Sequence, residues 1–266
     1  MNNLIPKKIH YVWVGGKEKP DLVKKCIESW KKHCPDYEII EWNDDVLKKI
    51  DNLYVKQAYE NKKWAFVSDY LRLWALYHYG GFYCDTDLEI TNNIDRFLEY
   101  KLVMGYEIWN GEISPLTAFL GAEKRNNVVR DLLDLYTDLP FIKNGEMDET
   151  TNVLRLSRWL GEKYDFNKPY DGTQFTKIKD DLVIFPYWFF CTPENNKENY
   201  SIHHFNGSWI DPYIRKTILK FGKYKIVRYK KRLGIEGTYL PLISGEKKVC
   251  EIIVTDKRKY CLIQSN

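Results

Sequence analysis

The sequence predicts an α/β protein built on a mostly parallel sheet flanked by helices. Two observations predict it. Strand-like and helix-like segments alternate through the first half of the chain. The residues with chemistry to offer, Gly15-Gly16 and the Asp85–Asp87 pair, fall at strand ends, where open sheets of this class bind ligands.

The elements follow in order. Ile9 to Val14 reads as a buried strand, ended by Gly15-Gly16. A helix begins near Pro20, a residue suited to a first helical position, and Leu22, Val23, Cys26, Ile27 and Trp30 recur at helical spacing. "DYEIIEWND" is a second strand, with Asp44 a candidate cap for a short helix. Ala65, Leu71, Trp74, Ala75 and His78 mark a long helix that Gly80-Gly81 ends. "FYCDTDLEI", "KLVMGYEI" and "TAFLGAEK" are strands, and helices follow at about 126–137 and 151–162. "LVIFPYWFF" and "YSIHHF" read as late strands.

Composition bounds the function. The 266 residues are 44% hydrophobic and 29% charged, a balance that suits a globular core and excludes a disordered chain. A net charge of +4 is too weak a basic bias to argue for nucleic acid. The six cysteines form no Cys-x-x-Cys pair, so neither a zinc site nor a redox pair of the usual spacing is expected. The N-terminus has no leader pattern, and no apolar run reaches spanning length, which predicts a reduced, cytoplasmic protein. Aromatic residues make up 15% of the chain; most must be core, but exposed rings also suit stacking on bases or sugars.

Four stretches carry candidate chemistry. In "CDTDLEI", Asp85 and Asp87 alternate, which on a strand brings them to one face, with Glu89 further along. A solvated strand face is the plain explanation; a magnesium or manganese site is the sharper one, because paired carboxylates suit hard cations. In "SDYLR", Asp69 and Arg72 are three apart on the long helix, either a local ion pair or one wall of a pocket. In "IHHFNGSW", either His203 or His204 can face such a pocket, but adjacent strand residues point opposite ways, so not both. In "YVWVGG", Trp13 ends a strand, either as core or as a stacking platform.

Together, "IPKKIHYVWVGG", "WAFVSDYLRLWALYHYGGFYCDTDLEI" and "HHFNGSW" resemble the family 32 glycosyltransferases with a DXD sugar-nucleotide-binding region. These include bacterial surface-polysaccharide enzymes, and they are related to the yeast initiating α-1,6-mannosyltransferase and to the catalytic domains of clostridial glucosylating toxins. The resemblance spans roughly residues 4–210. It implies a GT-A fold over 1–212 and metal-dependent, retaining transfer of a hexose from a nucleotide-sugar donor, UDP-hexose before GDP-mannose. The acceptor is a glycan or lipid-linked glycan, and the metal is Mn2+ or Mg2+.

By the same resemblance, Val12 and Trp13 hold the nucleobase and Asn43 touches the nucleoside. Ala65, Asp69 and Arg72 line the ribose and the transferred sugar, and Tyr83 packs near the donor. Asp85 meets ribose and metal-bound water, Asp87 and His204 bind the metal, and Ser208 and Trp209 close over diphosphate and sugar. The residues agree with these roles. A divalent cation clamps the charge of a departing diphosphate, and Arg72 offers a fixed donor fork. With no second convergent carboxylate evident as a nucleophile, front-face attack is expected.

Two other readings compete. A phosphohydrolase of the haloacid dehalogenase type also places Asp-x-Asp after an apolar strand, but it wants Thr or Val where Glu89 stands. A non-catalytic carbohydrate-binding protein would account for the aromatics, not for a carboxylate pair beside a nucleobase platform. Dinucleotide and P-loop motifs are absent from the sequence.

The segment after Pro212 differs. From Tyr213 to Gly234 there are nine Lys or Arg and no acid. Ile214, Ile218, Phe221 and Tyr224 fit a helical spacing, so residues 213–266 are expected to form a basic helix and a hairpin packed on the sheet domain. Such a helix suits peripheral docking on the anionic inner face of the plasma membrane.

Overall fold

The computed structural model describes residues 3–109, 111–179, 182–207, 213–231, 246–255 and 258–265. The chain opens with β1 (Lys8–Val12), α1 (Asp21–His33), β2 (Glu38–Trp42), α2 (Leu53–Glu60) and α3 (Trp64–Tyr79). Then come β3 (Gly81–Cys84), β4 (Leu88–Ile90), β5 (Leu102–Trp109), β6 (Glu112–Ala122) and α4 (Asn127–Asp134). A small hairpin of β7 (Ile142–Lys143) and β8 (Glu146–Met147) precedes α5 (Asn152–Tyr164). β9 (Thr176–Ile178), β10 (Leu182–Phe185), α6 (Tyr187–Phe190) and β11 (Ser201–His203) complete the α/β unit. β12 (Tyr213–Phe221), β13 (Tyr224–Lys231), β14 (Glu246–Thr255) and β15 (Arg258–Ser265) follow.

The central sheet has seven strands in the order β2-β1-β3-β6-β5-β10-β9. β2, β1, β3, β5 and β10 run one way; β6 and β9 run the other. The mostly parallel α/β sheet expected from the sequence is therefore present, with β6 inserted antiparallel at its centre. Strand side chains alternate between two buried layers. Val12, Tyr83, Met104 and Leu120 pack with residues of α2 to α5 on one side. Ile9, Phe82, Val103 and Phe119 pack with Cys26 and Trp30 of α1 and Phe190 of α6 on the other.

Three features position the strand ends. α3 stops at Gly80 with φ +65°, and a Cβ there would lie 2.7 Å from the Lys124 backbone nitrogen, so the turn into β3 needs glycine. His10 caps the turn from below: one ring nitrogen lies 2.7 Å from the Gly80 carbonyl, and the other accepts from the Trp42 indole at 3.2 Å. Gly15, at φ +90°, leaves no room for a Cβ against Trp64, and its amide donates to Asp44 at 3.0 Å. Asp44 thus tethers the glycine loop, while Asn43 takes the capping role, accepting from the Asp45 amide.

Two expectations need correction. The Asp85–Asp87 stretch is not continuous strand: β3 ends at Cys84, and a turn closed by Leu88 N–H donating to Asp85 O leads into β4. The basic segment is not a helix either. β12 and β13 form an antiparallel hairpin within a separate four-stranded sheet, order β12-β13-β15-β14. The helical spacing of Ile214, Ile218 and Phe221 was matched by chance: a register shift between Thr217 and Leu219 breaks the strand's strict alternation. Phe221 faces Tyr224 across a turn at Gly222, whose φ is +56°. This sheet has a small buried cluster of its own, Val227, Tyr229, Cys261 and Ile263. It also touches the α/β unit, where Lys220 donates to the Asn144 carbonyl at 2.8 Å.

Candidate active site

The site gathers where β3 and β1 end. β1 and β3 are parallel with His10 opposite Tyr83, and continuing that register sets Val12 level with Asp85. Along α3, Asp69 and Arg72 lie one turn apart and both are buried, at 7% and 4% exposure. The guanidinium is held from every side. It donates to Asp69 at 3.0 Å, to the Thr117 carbonyl of β6 at 2.8 Å and to Ser68, and it pairs with Asp85 at 3.2 Å. Its plane lies over the Tyr83 ring, 4.5 Å from the centroid. Tyr83 in turn donates its hydroxyl to Asp85 at 2.7 Å. Asp85 is therefore fixed by an arginine and a tyrosine from the helix and strand that precede it.

The electrostatics follow from burial and pairing. Burial pushes the Asp69 carboxyl up to about 6, against the pull of Arg72. Burial disfavours the Arg72 charge, but Asp85, Tyr83 and Asp69 outweigh it and hold the guanidinium firmly cationic.

Asp87 sits on the other side of the turn. The Asn206 amide donates to it at 2.9 Å, and the His203 ring nitrogen Nε2 lies 3.5 Å away. Burial acts to raise the Asp87 carboxyl, yet His203 and that amide hold it below the usual range. Burial acts to lower His203, and its bond and charge contact with Asp87 push it instead up to about 10. Asp85, Asp87 and His203 each offer a ligand atom, all within 4.8 Å of one another. Two carboxylates and an imidazole fit a divalent cation, and the proton that His203 holds is what such an ion would displace.

The adjacent histidine goes elsewhere. His204 Nε2 lies 2.9 Å from Glu89, which also pairs with Lys25 at 2.7 Å. His203, not the expected His204, is thus the histidine grouped with the two carboxylates, because neighbouring residues here face opposite ways. Glu89 leaves the acidic row because the turn from Asp85 to Leu88 breaks the strand alternation and puts Glu89 on β4.

Of the other expected residues, Val12 is buried under the strand end and Tyr83 lies within the cluster. Trp13 is half-buried, its indole donating to the Lys17 carbonyl at 2.7 Å and its ring facing Lys19. Ala65 lies one turn before Asp69 on α3, and Asn43 caps the turn after β2. Ser208 and Trp209 lie outside the described residues.

Sequence reasoning missed a further buried carboxyl near the cluster. Glu107 of β5 is 9% exposed and accepts from the Ser114 hydroxyl at 3.1 Å. Burial pushes it up to about 7, opposed by His203 and Ser114. Beside it, Trp109 contacts Phe205 at 4.7 Å between centroids, and Phe205 contacts His203 at 4.1 Å. The one available signal was an acid interrupting an otherwise apolar strand, "LVMGYEIW".

The geometry defines a carboxylate–imidazole cluster beside a buried arginine, and comparison with known proteins gives it a class. Residues 20–104 match the glycosyltransferase sugar-binding region containing a DXD motif. That stretch is similar to such a region, as the resemblance in sequence implied. Inositol phosphoceramide mannosyltransferase 3 of Schizosaccharomyces pombe is 30% identical over 103 residues, 36% of this chain and 28% of the relative. Inositol phosphoceramide mannosyltransferase 2 of the same organism is 36% identical over 106 residues, covering 37% and 30%. The chain thus spans less than a third of the length of these curated relatives. Among solved structures, a glycosyltransferase involved in glycosylation of the major capsid of PBCV-1 superposes with a TM-score of 0.43 at 12% identity. The superposition covers 74% of this chain and 94% of that one.

Proposed function

We propose that the protein is a metal-dependent, retaining glycosyltransferase that moves a hexose from a nucleotide sugar, UDP-hexose first, to a glycan or lipid-linked glycan acceptor. Surface or capsular polysaccharide synthesis is the setting this reading suits. The observation that carries it is the Asp85–Asp87–His203 cluster set directly against Arg72 and Asp69. Asp85, Asp87 and His203 would hold a Mn2+ or Mg2+ ion, which would supply a Lewis acid for the charge of a departing diphosphate.

The chain's own residues do the rest. Asp85 is already oriented by Tyr83 and Arg72, so the cluster is organised before ligand arrives. Arg72 presents a fixed positive charge to the diphosphate side of the donor, and Asp69 grips sugar hydroxyls. Asp69 is spoken for by Arg72 at 3.0 Å, which fits a gripping role better than a nucleophilic one and favours front-face attack. Trp13, at the end of β1, stacks on the nucleobase, Val12 backs it, and Asn43 and Ala65 flank the nucleoside. Ser208 and Trp209, outside the described residues, are assigned to the diphosphate by resemblance alone.

The test is donor hydrolysis. The protein incubated with UDP-glucose, UDP-galactose, UDP-N-acetylglucosamine and GDP-mannose in Mn2+ should release nucleoside diphosphate from at least one, and excess EDTA should stop it. Metal-dependent hydrolysis of p-nitrophenyl phosphate without any such release would favour the phosphohydrolase reading. Tight UDP binding with no turnover would favour a binding protein.

The C-terminal sheet supports peripheral docking on an anionic membrane. Ile218, Leu219 and Phe221 of β12 are about half exposed, and Lys216 and Lys223 beside them are exposed as well. Apolar side chains among lysines suit an interface of anionic headgroups, at about 1 kcal/mol per basic residue. No helix among the described residues is long and apolar enough to cross a membrane. A protein at the inner face of the plasma membrane would meet a lipid-linked acceptor there. Sedimentation with phosphatidylserine vesicles should fall with salt and with Lys216→Glu/Lys223→Glu; no sedimentation of the parent would leave the sheet a structural appendage.

A further inference from the structure

The hairpin of β5 and β6 ends beside the cluster, and one of its faces is unusual. Opposite residues in an antiparallel pair share a face, as do residues two apart on one strand. Glu107 opposes Ser114 and Trp109 opposes Glu112, so these four lie on the same face. Glu107 is buried, and Ser114 is its one side-chain partner among the described residues. Trp109 is 47% exposed. Leaving half an indole in water forgoes burial that a hairpin tip could have secured with a smaller side chain.

The ring is not isolated. Trp109 meets Phe205, and Phe205 meets His203, so an aromatic run leads from the hairpin tip to the metal-ligand cluster. Glu107 lies at the edge of the same cluster, within electrostatic reach of His203, Asp85 and Arg72. A flat apolar ring beside a carboxyl is the pairing that recognises a pyranose: the ring covers its C–H face and the carboxyl binds its hydroxyls.

We propose that this hairpin face is the acceptor-sugar subsite, with Trp109 as the platform and Glu107 as the partner of the acceptor's hydroxyls. The ligand class is a neutral hexopyranoside. This rests on the glycosyltransferase reading, because the subsite has meaning only next to a bound donor. It places the acceptor on the hairpin side of the Asp85–Asp87–His203 cluster, next to the donor held by Arg72 and Asp69. Trp109 and Phe205 at the tip would exclude water from the space between the two sugars.

Saturation-transfer NMR tests this with the full chain, Mg2+ and UDP or GDP present. The probes are methyl α-mannopyranoside, methyl α-glucopyranoside and methyl β-galactopyranoside. At least one should receive saturation from the parent protein. Trp109→Ala should weaken that sugar by roughly tenfold, the loss expected for one stacking ring. Glu107→Gln should weaken it with no change in the far-ultraviolet spectrum. Nucleotide affinity should stay unchanged in both. Equal sugar signals from parent and folded Trp109→Ala overturn the subsite, as does a parent that binds the nucleotide but none of the sugars. Loss of nucleotide affinity in Trp109→Ala would put the ring in the donor site and overturn it too. A parent that binds neither UDP nor GDP strikes the donor reading itself, and the subsite falls with it.

Discussion

The two walls of the site are built differently. On the α3 side, Arg72, Asp69 and Tyr83 are buried, and Arg72 and Tyr83 hold the part-exposed Asp85, with Thr117 and Ser68 among the guanidinium's partners. On the β11 side, Asp87 meets His203 at 3.5 Å and accepts from the Asn206 amide at 2.9 Å, and the aromatic run beyond it opens to solvent at Trp109. One wall is a finished polar network. The other, among the described residues, is more sparsely bonded. On the proposed reading, the bonded wall holds the donor sugar in place, and the more open side beyond the metal ligands leaves room for an acceptor.

If the contrast is real, substitutions on the finished wall should be the most damaging. Arg72→Ala leaves Asp69 and Asp85 without their cation, and breaking a buried pair costs on the order of 3–5 kcal/mol. Both donor turnover and thermal stability should collapse together. Arg72→Lys keeps the charge but loses the fork, and should retain the fold better than the activity. An Arg72→Ala protein with parental melting temperature would mean that the wall is looser than its hydrogen bonds imply.

The adjacent histidines sharpen the same point. His203→Ala should abolish most Mn2+-stimulated turnover, whereas His204→Ala removes a surface contact with Glu89 and should leave it largely intact. Equal losses from both would dissolve the distinction between them.

A pH measurement addresses the open wall. Burial holds Glu107 at about 7, above its ordinary 4.5, with His203 and Ser114 lowering it, Asp85 raising it and Arg72 lowering it. A raised carboxyl favours the folded state while protonated. That stability is fully present below the unfolded pKa and is lost as pH rises toward 7. The loss between pH 5 and 8 from this group is on the order of 3 kcal/mol, and Glu107→Gln should remove that part of the slope in urea unfolding. Asp69, pushed up to about 6, adds a slope of the same sign that the variant keeps. An unchanged profile in Glu107→Gln would show that the carboxyl is better solvated than its position indicates. The smallest effect belongs to Trp13: Trp13→Ala should weaken UDP binding by about 1–3 kcal/mol in calorimetry. Undiminished affinity would return that ring to the core.

What could be read from the sequence was what local periodicity encodes. α1 and α3 announced themselves by apolar spacing, and Gly80-Gly81 marked the exit because only glycine suits the left-handed backbone there. Asp69, Arg72, Asp85 and Asp87 fall close in sequence on one helix–turn–strand unit, so their meeting needed little tertiary knowledge. His203 against His204 was not legible, since alternation says that one faces inward without saying which. Glu107 joins the site only through the β5–β6 hairpin, which no spacing reveals. The basic segment misled because its apolar residues fit two periods, and the Gly222-Lys223 turn that decides for a hairpin is a weaker signal than the lysine run around it.

The central claim is that Asp85, Asp87 and His203 hold a divalent ion on which donor binding depends. Calorimetric titration of UDP into the protein, with Mn2+ and again with EDTA, tests it most directly, alongside the Asp87→Asn variant. Binding should appear with Mn2+, vanish in EDTA and be lost in folded Asp87→Asn; UDP affinity that is the same in all three would contradict the account.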